Sequence, residues 1–264
     1  MLTDAALALD LAAPLAHYAE HGWARLGVVA APETLAELRA RADAIMLGEV
    51  RHPDFFFQRD AASGDYFDLD FDSRGNRGWA GPRLDYRKVE KVERDPVFRA
   101  WLENALFGRL ARAVVGEEVA LFRAVVFGKA ASGGTELPWH QDGGRMWGLD
   151  RDPELQVWTA LDDAPEDAGC LEVVDGTHRA GLAGAFGGRV PKEALEARGA
   201  EASRLLLPAA AGEALLVHNH LWHRSGRNAT GRPRRAFSAC FMPASTRCTR
   251  KRKAPRTFER LFVG

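Results

Sequence analysis

The stretch LPWHQDGG, residues 137–144, sets an imidazole and a carboxylate two positions apart, at His140 and Asp142. On an extended segment, side chains two apart leave the same face, so both groups bear on one point. A lone His-x-Asp also fits a polar strand end with no further role. The stretch HNHLWHRSGRNATGRPRRAFS, residues 218–238, adds what the first lacks. His223 opens a His-Arg-Ser-Gly run, and Arg234 follows eleven positions later at the head of a strand-like segment. Two imidazoles and one carboxylate cover one face of an octahedral iron(II) and leave three positions open. Two of those suit the keto and C1-carboxylate oxygens of a 2-oxo acid, and the third suits dioxygen. The distal carboxylate of 2-oxoglutarate needs a fixed cation, and a guanidinium grips such a group with two parallel bonds. Arg234 is the candidate, with Ser225 adding a hydroxyl.

Other residues near these motifs have competing readings. His218 and His220 share the neighbourhood of His223, but the His-Arg-Ser-Gly context favours His223, and His218 reads as a buried, hydrogen-bonded histidine close behind the metal. His178, in GTHR, reads as a turn histidine, and His17, His21 and His52 have no company that suggests chemistry. Arg145 and Trp147 follow the metal motif and are read either as substrate-facing or as a rim ion pair and a packing tryptophan. Gln156 lies two before Trp158, so on a strand it shares that face and is placed to meet cosubstrate or substrate. Gly133 and Gly134 belong to no phosphate-loop pattern.

The 264 residues suffice for one large domain, and the 36 basic and 36 acidic side chains cancel. That balance gives no general electrostatic reason for a nucleic-acid or membrane partner. No apolar run approaches the roughly 20 residues that span a bilayer, and the opening MLTDAALALD lacks the basic cluster of a signal peptide. Three cysteines without CxxC spacing argue against disulfides and thiolate zinc, and cytoplasm is the expected setting. The segment RCTRKRKAPR, 247–256, holds six basic residues in ten and reads as a solvated, flexible end.

Elements must then position the motifs. Leu35, Leu38, Ala42 and Ile45 give residues 33–47 one apolar helical face after Pro32, and GWARLGVV ahead of it reads as a strand. A second helix runs from an Asp95 N-cap and Pro96 to Gly116, with Phe98, Trp101, Leu102, Ala105, Leu106 and Leu110 as its stripe. Between the two, residues 51–85 are rich in aromatics and Asp and read as a long ordered loop over a binding site, or as a satellite hydrophobic cluster. Beyond residue 118 the period changes to two. Strands are expected at 119–128, 155–163, 170–176, 213–219 and 235–242, with one helix in the insert at 180–210. The expected architecture is mainly β: a jelly roll (double-stranded β-helix) with N-terminal helices packed on one sheet. A single domain, 1–264, divides into a helical part at about 1–118, a core at about 119–245 and a basic tail at 246–264.

The segments LPWHQDGG, VWTALDDAPEDAGCLEVVDGTHR (157–179) and HNHLWHRSGRNATGRPRRAF, with the N-terminal YAEHGWARLGVVAAPETLAELRA, resemble the phytanoyl-CoA dioxygenase family of 2-oxoglutarate oxygenases. The resemblance covers roughly residues 15 to 245. It implies a double-stranded β-helix, iron(II) held by His140, Asp142 and His223, and 2-oxoglutarate held by Arg234. It also implies that Trp158 lines the cosubstrate pocket and that Lys88, or alternatively Lys91, contacts the cosubstrate. The implied reaction uses dioxygen, releases succinate and carbon dioxide, and hydroxylates or otherwise oxidises a C–H bond. Halogenation is disfavoured, because it needs a small residue where Asp142 stands. The Asp residues at 65, 68 and 70, with Arg74 and Trp79, point to a small polar or sugar-containing substrate, with an acyl-CoA second. Rival readings are a jelly-roll metal protein or isomerase that does not use 2-oxoglutarate, and a binding module without activity. The oligomeric state is left as monomer or homodimer.

Overall fold

The computed structural model describes residues 1–61, 63–68, 77–131, 133–251 and 255–263. Its helices are α1 (Asp4–Leu7), α2 (Ala12–His21), α3 (Pro32–Leu47), α4 (Pro96–Leu102), α5 (Ala105–Val115), α6 (Lys192–Arg198) and α7 (Ala200–Ser203). Its strands are β1 (Trp23–Val28), β2 (Phe56–Arg59), β3 (Tyr86–Glu90), β4 (Val119–Lys129), β5 (Leu137–Gln141), β6 (Leu155–Ala160) and β7 (Leu171–Val174). They continue with β8 (Gly188–Arg189), β9 (Arg204–Leu207), β10 (Glu213–His218), β11 (Trp222–Ser225), β12 (Arg234–Pro243) and β13 (Arg260–Leu261).

The strands form two antiparallel sheets. The larger runs in the order β1-β10-β6-β12-β4-β3-β2 with β13 also on β4, and the smaller runs β8-β5-β11-β7-β9. Facing sheets with this order form the expected jelly roll. Helix α5 packs on β4, β6 and β12 and so covers the outer face of the larger sheet.

The central strands are apolar on both faces because both faces are covered. In β12, Phe237, Ala239 and Phe241 join the core beneath the helices, whereas Ala236 belongs to the cluster between the sheets. In β10, Ala214 and Leu216 face the helices, and Leu215 and Val217 face the other sheet. The period of two therefore separates a helix-facing core from a sheet-facing interior, and the functional side chains belong to the latter. A register shift between Cys240 and Phe241 of β12 marks a bulge in β4 at Phe122. It turns Phe122 out of the helix-facing core and into a separate cluster with Trp147 and Phe258.

Several expectations are corrected. The single long helix after Asp95 is two: Asn104 restarts the chain as α5, its side chain accepting from Phe107 N at 2.9 Å. The apolar stripe spans both helices because both contribute to the same core. The part before residue 118 is not only helical, since β1 closes one end of the larger sheet and β2 and β3 extend the other. The 51–85 region contains β2, and Phe57 is buried in the main core with Phe55 packed against it. Within that region Asp70, Phe71 and Arg74 lie outside the described residues. The 180–210 insert holds β8, α6, α7 and β9 rather than one helix.

Described residues on either side of 252–254 tie the basic segment to the domain. Arg247 N donates to Asp150 Oδ1, Thr249 N donates to Gly148 O, and β13 pairs with β4. Buried Leu261 and half-buried Phe258 and Phe262 anchor it, an apolar signal that follows directly on the charge run. Arg252 and Lys253 lie outside the described residues. No helix among the described residues is long and apolar enough to cross a membrane.

Phe237 is fully buried and stacks on Phe98 at a centroid distance of 5.8 Å. Phe237→Ala should cost about 3–5 kcal/mol, read from denaturant midpoints. A loss below about 1 kcal/mol would show that this layer is not close-packed.

Candidate metal centre and cavity

His140 on β5 and His223 on β11 are direct partners across the ladder. Opposed residues on antiparallel strands project from the same face, and their rings lie with centroids 4.0 Å apart. Asp142 stands just past β5, where its N–H donates to Asn219 O at 2.8 Å. One ligand atom from each of the three residues lies within 4.8 Å of the others. Each imidazole is oriented through its inner nitrogen, with Nδ1 of His140 2.8 Å from Pro138 O and Nδ1 of His223 2.8 Å from Leu221 O. An Nδ1–H donated to a carbonyl leaves Nε2 as a lone-pair donor, the tautomer that metal ligation needs.

Asp142 is held just as firmly. Its Oδ2 accepts from Arg123 at 2.9 Å and from Gln156 Nε2 at 2.7 Å. Burial raises the carboxyl pKa, but the Arg123 guanidinium and the two imidazoles outweigh it and bring the value to about 2. Burial, and then the neighbouring His223, lower His140 to about 4. The set is thus an ionised carboxylate with an imidazole kept neutral by burial at ordinary pH. It fits one borderline or hard divalent cation, and the number and type of donors match iron(II).

The loop behind Asp142 depends on glycine. Gly144 has φ 80°, and a Cβ there would stand 2.7 Å from the Phe186–Gly187 backbone. Its N–H donates to both oxygens of Asp152, which also lies 2.9 Å from His220 Nε2. The side chain of Gln141 donates to the carbonyls of Gly181 and His220 and accepts from Ala183 N.

The triad opens into a cavity between the sheets. Its wall includes Arg234, Ser225, Trp158, Lys88, Gln156 and Trp147 from the expected set. Arg234 is buried, donates to the carbonyls of Ala168 and Gly169, and lies 5.9 Å from the Trp158 ring centroid. Burial lowers its pKa to about 10. Lys88 reaches the wall, but its ammonium is engaged by Glu90. Lys91 is exposed, on a left-handed residue with φ 65°. Gln156 directs its amide nitrogen at Asp142, so its contact is with a ligand side chain.

Other expected positions lie elsewhere. Arg145 is exposed and outside the wall: the chain turns at Gly143–Gly144, and the Arg145 backbone pairs with Ala185. His218 packs against Tyr18, His178 and His220 instead of the ligands. Asp65 and Asp68 are used locally, accepting from Phe67 N and Ser63 Oγ, and Trp79 is exposed beneath Arg51. Among the described residues of this loop, Asp65 and Asp68 therefore serve contacts within the loop itself.

Sequence reading missed Arg123, Lys129, Arg87, Asp60 and Tyr66, all on the wall. A signal existed for Arg123, a lone charge inside the otherwise apolar VALFRAVVFG. Its guanidinium also lies 4.7 Å from the Trp147 ring centroid, and Trp147 stacks on Phe122 at 4.4 Å.

Burial, with His178 and His220 beside it, lowers His218 to about 3. A histidine of ordinary pKa near 6.5 in the unfolded chain takes up a proton that the folded chain refuses. Stability is therefore full above pH 6.5 and falls as pH drops toward 3, by about 1.4 kcal/mol per unit for this one group. His218→Asn should flatten the pH dependence of denaturant midpoints between pH 7 and 5, and an unchanged slope would assign the acid sensitivity to other groups.

The phytanoyl-CoA dioxygenase (PhyH) profile matches residues 18–236. Phytanoyl-CoA dioxygenase domain-containing protein 1 of Bos taurus is 27% identical over 160 residues, 57% of this chain and 54% of that protein. Its Mus musculus counterpart is 26% identical over 185 residues, 66% of this chain and 63% of its own length. The chain thus spans under two thirds of these relatives. Among solved structures, the epimerase SnoN in complex with Fe3+, alpha ketoglutarate and nogalamycin RO superposes with TM-score 0.72 at 19% identity, covering 96% of each chain. EctD from S. alaskensis, with 2-oxoglutarate and 5-hydroxyectoine, gives TM-score 0.71 at 20% identity over 93% of this chain and 81% of its own. These likenesses establish a shared fold, and the profile match over most of the length shows that the chain belongs to the phytanoyl-CoA dioxygenase family.

Proposed function

We propose that the protein is an iron(II)- and 2-oxoglutarate-dependent oxygenase that oxidises a C–H bond of a small polar organic molecule. The observation that carries the reading is the pairing of His140, Asp142 and His223 with a buried Arg234 on one cavity wall. Family membership supports the same reaction class. His140, Asp142 and His223 would hold the iron, and Arg234, Ser225 and Trp158 would form the cosubstrate end. When bound, iron(II) and 2-oxoglutarate supply the oxidant, with succinate and carbon dioxide as by-products.

The chain's own residues orient and shield. Arg123 and Gln156 donate to Asp142 Oδ2 and so hold the carboxylate beside the two imidazoles. The carbonyls of Pro138 and Leu221 fix the imidazoles, and Trp147, Met146 and Tyr66 wall the cavity. A substrate positioned against this wall presents one bond to the metal, and positioning rather than proton transfer is the protein's main contribution.

A wall carrying Asp60, Arg87, Lys88, Arg123 and Gln156 suits a polar substrate better than an alkyl chain. The structural relatives SnoN and EctD are found with nogalamycin RO and 5-hydroxyectoine, respectively, which supports a small organic substrate. An acyl-CoA is the second substrate class. Free Cys170, Cys240 and Cys248 agree with a cytoplasmic enzyme, placed here in secondary metabolism without a nucleic-acid or membrane partner.

Asp142→Ala should abolish dioxygen-dependent succinate release, and near-normal turnover would refute the ligand assignment. Arg123→Met should weaken manganese(II) binding roughly tenfold to hundredfold in calorimetric titration, whereas unchanged affinity would make Arg123 a packing residue only. Titration of the manganese-loaded protein with 2-oxoglutarate should show saturable binding. Its absence would favour a metal protein that does not use this cosubstrate.

A further inference from the structure

His140 and His223 are fixed by the β5–β11 ladder of the smaller sheet, but Asp142 lies just beyond the end of β5. Its side chain is held from the larger sheet, by Arg123 of β4 and Gln156 of β6. Its backbone is tied to the β10–β11 turn, where Asn219 O accepts from Asp142 N at 2.8 Å. Asp152 adds a brace to that tie. Its two oxygens accept from Gly144 N at 2.8 and 2.9 Å, and Oδ2 lies 2.9 Å from His220 Nε2. One side chain thus links the residue two after Asp142 to the residue three before His223.

Asp152 is itself anchored to the larger sheet. Strand β6 begins three residues later with Leu155 paired to His218, and Asn219 N donates to Glu154 O at 3.2 Å. The Asp152–His220 contact prolongs that β6–β10 pairing past its last rung. The side chains of Asp152 and His220 are only 17% and 19% exposed, so solvent competes weakly for their contact. The pair also closes on the backbone at Gly143, where φ is 152° and a Cβ would stand 2.8 Å from Asp152 Oδ2 and 3.1 Å from His220 Nε2. A carboxylate shared by a backbone N–H and an imidazole fixes all three partners. Neither Asp152 nor His220 is on the cavity wall, so their contact serves position.

We propose that the Asp152–His220 pair positions Asp142, bracing its turn against the larger sheet so that the carboxylate meets His140 and His223 at one metal ion. The inference rests on the reading that this triad binds a metal. Asp152 is a positioning residue and touches neither metal, cosubstrate nor substrate. It acts through the backbone: with Gly144 N held and Gly143 enclosed, Asp142 leaves β5 at a fixed angle. The two imidazoles need no such brace, because their strands are already paired.

The test is calorimetric titration of the metal-free protein with manganese(II), with denaturant midpoints measured alongside. Asp152→Ala and His220→Ala should each weaken manganese binding roughly tenfold to hundredfold. Asp152→Asn, whose amide oxygen still accepts from Gly144 N, should keep most of the affinity. The double alanine variant should lose no more than either single change, because the two groups act as one unit. Wild-type affinity in Asp152→Ala would overturn the assignment, even with a lowered midpoint. So would additive losses in the double variant, or equal losses in Asp152→Asn and Asp152→Ala, which would make charge rather than position the cause. If Asp152→Ala does not fold, His220→Ala decides in its place, and unchanged affinity there overturns the pair.

Manganese EPR at saturating metal gives a second reading of the same variants. With the brace removed, the Asp142 carboxylate should take up a spread of arrangements, and the spectrum of Asp152→Ala should broaden relative to wild type. An identical spectrum at full occupancy would also overturn the assignment. If wild-type protein binds no manganese(II), the metal-centre reading itself fails. Wild-type binding that the variants reproduce unchanged refutes this inference alone.

Discussion

The centre depends on one ladder contact, the pairing of His140 with His223 across β5 and β11. The two residues are 83 positions apart in the chain (223 − 140), and only sheet register brings their rings to 4.0 Å. A slip of one residue would turn one imidazole to the opposite face. Register is in turn fixed by the apolar residues of β11 and its neighbours. Trp222 packs with Trp139 and Val174 on the face away from the metal ligands, which locks parity on both strands. Carbonyls from the same backbone then orient the rings, so position and tautomer share one source.

Around that contact the interior carries more charge than a folding core tolerates without compensation. The helix-facing side of the larger sheet is almost wholly apolar, and the opposite side holds Arg123, Lys129, Gln156 and Arg234. The same strands therefore serve stability on one face and binding on the other. Ion pairs and carbonyl contacts reduce the desolvation penalty of these groups. Such a division is expected where function is carried at some expense in stability.

Much of this was legible in the sequence, for identifiable reasons. The strands announced themselves by their period, and the residues that cluster at the candidate metal centre by a pair of motifs whose residue types suit one metal chemistry. Less local features were not legible. The break at Asn104 preserves the apolar stripe, so periodicity alone reads one helix where there are two. Phe122 sits at a bulge, which a period of two cannot register, and its stack with Trp147 followed from that. Lys129 looked like an ordinary strand-end lysine because its place on the cavity wall comes from pairing opposite Arg234, 105 positions later (234 − 129). The anchoring of the chain beyond the basic run was not legible in the run itself, because Phe258, Leu261 and Phe262 come after it.

The loop after Asp142 has a consequence for how such a protein changes over generations. Met146 and Trp147 reach the cavity from a segment held by turns and backbone contacts with 184–187 and 247–249. The candidate ligands belong to paired strands and to the loop's first residue. Substitutions at 146 and 147 can reshape the cavity mouth without disturbing the His140–His223 register. The exception is the Trp147–Arg123 contact, through which the mouth touches Asp142. Drift toward new substrates is therefore least constrained at Met146 and most constrained at Trp147, one residue away.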